Sequence, residues 1–214
     1  MDYHKGLDYF HHVEEDIWVD RINEARVDGS LCAWVATLLP QQAACRLVGG
    51  FLNGSYNLCQ RFILEDGTTI LLRLPRASSV SSQHADEKVA MEVEALNLVR
   101  TMTDIPVPQV YAWGLSENNV LGLGPFMLME FIDGVPLKEL FTEGGSAVLK
   151  EDIPGHDVEY VYRQMANFIL QLFKIDLPRL GSLPTPITHF SSSLRPLTCK
   201  VHDILQNGGI DTFG

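Results

Sequence analysis

The stretch FLNGSYNLCQRFILEDGTTILLRLPR, residues 51–76, reads as two strands joined by an acidic turn, with Arg73 in the middle of an otherwise apolar strand. Glu65-Asp66-Gly67 is a hairpin turn of the Asp-Gly type. A charge on a strand of that kind needs a partner, because desolvating it alone is costly. The partner is either an acid elsewhere in the fold or an anionic ligand. That choice constrains the rest of the chain.

Residues 7–38 carry apolar positions at helical spacing (Ile17, Trp18 and Ile22, then Leu31, Trp34, Val35 and Leu38), with Asp28-Gly29 separating two helices. His11-His12 reads as a solvated helix end rather than a metal site, since no acid or cysteine completes a ligand set. CRLVGGF, SYNLCQRFILE and TTILLRLP, within residues 45–76, are strand-like, and ASSVSSQHAD is a polar loop. DEKVAMEVEALNLVRTM, residues 86–102, predicts a helix with Val89, Val93 and Leu96 on its apolar stripe and Asp86 as N-cap. Pro106 and Pro108 stop it, and Gln109–Trp113 and Pro125–Ile132 read as two more strands. A short linker leads to an amphipathic helix at 157–175, with Val161, Met165, Phe168, Ile169, Leu172 and Phe173 facing a core; from Asp176 the sequence is rich in Pro, Gly, Ser and Thr.

The order predicts an α+β fold: a five-stranded antiparallel sheet over 45–132 with one helix packed on it. An N-terminal helical extension at 1–44 precedes it, and residues 133–214 form a hinge and a partial helical lobe. With 46% apolar and 20% charged residues, the composition is that of an ordinary globular protein. The net charge of −11 argues against a general nucleic-acid binder. VLGLGPFMLMEFI is too short and glycine-rich to span a bilayer. The scattered Cys32, Cys45, Cys59 and Cys199 have no metal or redox spacing and read as reduced core residues. With an acidic N-terminus lacking a secretory-type apolar run, they give a cytoplasmic expectation.

Five strands with one helix after the third describe the small lobe of a kinase-like fold. GSYNLCQRF, LLRLPR, EKVAMEVEAL, IPVPQVYAWG, LGLGPFMLMEFIDG and RQMANFILQLFKIDLPRLGSL, in that order over 47–183, resemble the aminoglycoside phosphotransferase family, in particular its fungal branch. The resemblance implies ATP and Mg²⁺ as cofactors and a small-molecule hydroxyl as phosphate acceptor. It places Gly49-Gly50 and Asn53-Gly54-Ser55 in a turn over nucleotide phosphates, where small residues let backbone N–H groups approach. The plainer reading of those glycines is a tight turn. Arg73 then holds the α/β-phosphates, braced by Glu92, with Glu94 as rival; positions two apart do not share a helix face. A structural salt bridge without a ligand is the alternative. Met129 lies at the back of an adenine pocket, and Glu130 offers its backbone C=O and Ile132 its N–H to the adenine edge. The alternative there is a plain core strand.

Phosphoryl transfer also needs an acceptor-positioning Asp, an Asn and a metal-binding Asp. The family supplies the first two in a His-x-Asp-x-x-x-x-Asn loop. His84-Ala85-Asp86 has Met91 where the Asn belongs, His202-Asp203 lacks the intervening residue, and Asp211-Thr212-Phe213-Gly214 carries an inserted Thr. No catalytic or metal residue is therefore assigned. The expectation is a truncated family member, inactive as this chain, or alternatively a non-catalytic nucleotide-binding or interaction module. A third reading is a non-functional fragment that cannot fold stably, in which Phe168, Leu172 and Phe173 lack partners and leave an apolar patch.

Overall fold

The computed structural model describes residues 3–146, 148–177, 181–191 and 204–205. They divide into two compact units: the described residues of Met1–Asn97, Pro108–Phe131 and Leu180–Gly214, and those of Leu98–Val107 and Ile132–Arg179.

The first unit opens with helices α1 (Tyr3–Val27) and α2 (Ser30–Thr37). Gly29 between them takes φ +82°, a left-handed conformation glycine adopts freely, while Asp28 accepts a hydrogen bond from the Ser30 amide at 2.8 Å. His11 and His12 fall inside α1 rather than at its end, and His11 lies 3.5 Å from Glu14. Strands β1 (Cys45–Asn53), β2 (Asn57–Leu64) and β3 (Thr69–Pro75) follow, then helix α3 (Ala85–Met102) and strands β4 (Val110–Gly114) and β5 (Phe126–Glu130). The strands form one sheet in the order β1-β2-β3-β5-β4, every pair antiparallel. This is the expected α+β arrangement, a five-stranded antiparallel sheet with a helix between its third and fourth strands in sequence.

Side-chain alternation gives the sheet two different faces. Leu58 and Phe62 of β2, Ile70, Leu72 and Leu74 of β3, and Phe126 and Leu128 of β5 pack with Trp18, Ile22, Leu31, Trp34 and Val35 of α1 and α2. The Trp34 and Phe126 rings meet edge-on, with centroids 4.8 Å apart. On the other face Val89 and Val93 of α3 pack with Met127, Met129, Leu71, Val110 and Trp113. Helices therefore cover both faces, where the sequence reading packed only one. The near-continuous apolar run TILLRLP is what a strand buried on both faces needs.

Two other expectations are corrected. Helix α3 begins at Ala85, so Asp86 is not its N-cap; its carboxylate instead accepts from the Ser116 amide at 2.8 Å and hydroxyl at 2.6 Å. The linker after β5 contains a short helix, α4 (Leu137–Phe141).

In the second unit α4 precedes α5 (Gly155–Phe173), and the Asp104 amide donates to Gln171 of α5 at 2.7 Å. The apolar stripe of α5 was expected to face a core. Met165, Ile169, Leu172 and Phe173 are instead exposed, Phe173 at 87%. Tail residues His202, Asp203 and Asp211, and Cys199, lie outside the described residues.

Candidate functional site

Strand β3 turns Ile70, Leu72 and Leu74 toward α1 and α2, so Arg73 emerges on the α3 side. There its guanidinium meets Glu92 in a two-pronged contact, Nη1 to Oε2 at 3.3 Å and Nη2 to Oε1 at 3.4 Å. Both side chains keep 28% of their surface exposed, so water screens the pair. Glu94 does not face β3. It is 2% exposed and accepts hydrogen bonds from the amides of Ile187 (3.0 Å) and Thr188 (2.6 Å), fastening that segment to α3. The two acids two positions apart thus do different work, as their separation around the helix requires.

Lys88, one turn before Glu92, was not assigned a role from the sequence. Its ammonium sits 2.5 Å from Glu92 Oε1 and donates to Asn57 Oδ1 at 3.3 Å, and the residue is buried. The i, i+4 spacing of Lys88 and Glu92 was the available signal. Two cations and one carboxylate leave a net positive charge in a small, partly dry space. Cys59 pairs with Arg73 across the β2–β3 ladder. Burial pushes its thiol up; Arg73 and Lys88 pull it down more weakly, and Glu92 pushes it up.

The residues proposed to cover phosphates divide. Gly54 and Ser55 form the β1–β2 turn and Asn53 is the last residue of β1 leading into it; the Gly54 amide donates to the Asn57 carbonyl at 2.9 Å. Gly50 is not in the turn: it lies within β1, at a bulge between Val48 and Leu52 where the register shifts. Its neighbour Gly49 takes φ +65°, and an added Cβ would meet the Arg61 guanidinium at 3.0 Å. Gln60 spans the bulge by donating its side-chain amide to the Val48 carbonyl at 3.3 Å. Arg76, just past β3, donates to Asn53 Oδ1 (3.3 Å) and the Gly54 carbonyl (3.4 Å), a second contact the sequence reading missed.

Met129 is buried in the α3-side cluster, opposite Leu71. Glu130 ends β5; its amide donates to the Gln109 carbonyl at 2.8 Å and its carboxylate accepts from the Gln109 amide at 3.1 Å. Ile132 is 60% exposed and belongs to the second unit. Among the described residues no group of three His, Cys, Asp or Glu side chains is placed to hold a metal ion, and no helix is long and apolar enough to cross a membrane.

No family model matches the chain. It is 22% identical over 143 residues to a subtelomeric hrmA-associated cluster protein of Aspergillus fumigatus, covering 67% of this chain and 26% of that protein. It is 24% identical over 144 residues to altered inheritance of mitochondria protein 9, mitochondrial, of Candida dubliniensis (67% and 22%), and 27% identical over 131 residues to the protein of that name in Clavispora lusitaniae (61% and 21%). The chain spans about a quarter of the length of the curated relatives it matches. Among solved structures it is similar to a provisionally assigned aminoglycoside phosphotransferase of Ralstonia eutropha JMP134, with TM-score 0.47 and 19% identity, covering 70% of this chain and 38% of that one. The cytoplasmic expectation is corrected, because four relatives carry mitochondrial names. Reduced cysteines fit any reducing compartment, and an N-terminus unlike a secretory signal does not choose among the others.

Proposed function

We propose that this chain is the nucleotide-binding lobe of a kinase-like phosphotransferase of the aminoglycoside phosphotransferase family, whose intact members move the ATP γ-phosphate to a small-molecule hydroxyl. The observation that carries the reading is the Arg73–Glu92 pair between the third strand and the helix that follows it, joined by Lys88. In kinase-like sites the strand cation binds the phosphates and the helical acid braces it. Here Glu92 holds the guanidinium fork on the α3 side of the sheet, and Lys88 adds a second donor anchored at Asn57, the first residue of β2. A polyphosphate fits that surplus of positive charge. The same proposal gives Met129 and Glu130, on β5, the role of receiving adenine.

Bound Mg²⁺ would neutralise phosphate oxygens. The 214-residue sequence contains no His-x-Asp-x-x-x-x-Asn, which favours a second reading of the chain by itself: a module that holds a nucleotide without transferring phosphate. By its relatives, a mitochondrial setting is proposed for the protein.

Equilibrium titration with ATP and ADP tests the reading. The chain is expected to bind weakly and without Mg²⁺ dependence, and Arg73→Ala to weaken binding about tenfold, the order of one charge-assisted contact. No turnover above a protein-free control is expected. Turnover abolished by Asp203→Asn or Asp211→Asn would overturn the non-catalytic reading, and equal affinity in wild type and Arg73→Ala would overturn the nucleotide site.

A further inference from the structure

Helix α1 reaches the candidate site from the opposite side of the sheet, and it does so with polar contacts to loops as well as an apolar face. Arg26 donates to the Gly49 carbonyl at 3.2 Å and stacks its guanidinium 4.3 Å over the Phe51 ring, gripping the bulge of β1. Trp18 donates to the Leu123 carbonyl at 2.9 Å and Arg21 to the Gly122 carbonyl at 3.1 Å, gripping the loop before β5. Glu15 binds Arg76 through one carboxylate oxygen and the Ser78 hydroxyl through the other. Arg76 in turn holds the β1–β2 turn, through Asn53 Oδ1 and the Gly54 carbonyl. Glu15 and Arg26 are about three turns apart on α1, so one face of the helix serves both grips.

The Glu15 and Arg76 side chains are only 17% and 21% exposed, so their attraction is less screened than that of a surface pair. An arginine whose remaining donors bind the turn is oriented by whatever fixes its other nitrogen. We propose that Glu15 is a positioning residue for the turn at 53–56: α1 fixes Arg76, and Arg76 fixes the turn. Through that relay the N-terminal helix sets the order of the segment expected to lie over phosphates. The effect on nucleotide affinity rests on the function proposed above; the ordering of the turn does not.

Simple charge neutralisation makes the opposite prediction for binding. If Glu15 only cancelled Arg76, removing it would leave an extra positive charge beside the turn and tighten the hold on an anion. Positioning predicts weaker binding, because a loosened turn must be reordered when the ligand arrives.

The test compares the 214-residue wild-type chain, Glu15→Gln, Arg76→Ala and the double variant by amide hydrogen exchange and by ADP titration. Each single change is expected to speed exchange across residues 53–57 about tenfold, the order of one lost charge-assisted hydrogen bond. The double variant is expected to do no more than either single, as members of one relay are not additive. Glu15→Gln is expected to weaken ADP binding several-fold. Unchanged exchange at 53–57 in Glu15→Gln, additive effects in the double variant, or tighter ADP binding would overturn the proposal. An equal rise in β5 amides would overturn it too, showing that the unit had loosened as a whole. A wild-type chain that binds no ADP would sink the nucleotide reading, while the exchange data would still decide the relay.

Discussion

The two faces of the sheet are built for different work. Toward α1 and α2 the strands present Leu58, Phe62, Ile70, Leu72, Leu74, Phe126 and Leu128, nearly all fully buried. The polar exception, Gln60, donates its side-chain amide to the carbonyls of Val48 and Arg61. Toward α3 the same strands present Asn57, Cys59 and Arg73 beside Met127 and Met129, and α3 answers with Lys88 and Glu92 as well as Val89 and Val93. Apolar burial on the first face supplies stability in proportion to area. The second keeps the Arg73–Glu92 pair within reach of water, where it stabilises little and remains able to exchange one partner for another. Stability and the proposed nucleotide binding are therefore expected to be separable, and mutations should show it.

The largest effect belongs to the apolar face. Phe62 is 0% exposed, and Phe62→Ala is expected to lower the unfolding free energy by about 3–5 kcal/mol, measured by urea titration. Arg73→Ala is expected to cost about 1 kcal/mol or less in the same assay, because its ion pair is wet. Equal losses in the two variants would break the contrast.

A smaller effect comes from Cys45, which packs against the α1–α2 core with its sulfur 3.6 Å from the Cys32 carbonyl. Burial, with Cys32 adding to it, pushes this thiol from 9.0 up to about 12. Once the pH passes 9.0 the unfolded chain holds fewer protons at this position than the folded one. The contribution is therefore complete below that value and declines as pH rises toward about 12. Thermal melts are expected to show stability falling through that window, and less steeply in Cys45→Ala. An identical pH slope in the variant would mean that the thiol is no better shielded than in the unfolded chain.

Much of the architecture is legible in the chain. The strands carry alternation or apolar runs bounded by turn residues, and the acidic hairpin turn is visible in Glu65-Asp66-Gly67. A charged residue in an apolar strand announces Arg73, and the helical spacing separates Glu92 from Glu94 once one of them is known to face the strand. Three things were not legible. The partner of α1 and α2 depends on which strand face is left bare, and a run such as TILLRLP hides its two faces because both are apolar. Gly49-Gly50 looked like a turn pair because a bulge and a turn can both use a glycine at positive φ, as Gly49 does at +65°. Arg76 and Glu15 are 61 residues apart, a pairing that no local pattern signals.

The central claim is that a nucleotide lies on the α3 face, beside Arg73, and the cysteines offer the most direct test. Cys59 is on that face opposite Arg73, and Cys45 is packed with the opposite core. Alkylation of each thiol is followed by peptide mass spectrometry with and without saturating ADP. The account predicts that ADP slows modification of Cys59 several-fold and leaves Cys45 unchanged. Unaltered Cys59 reactivity at saturation, or equal protection of both thiols, would contradict it.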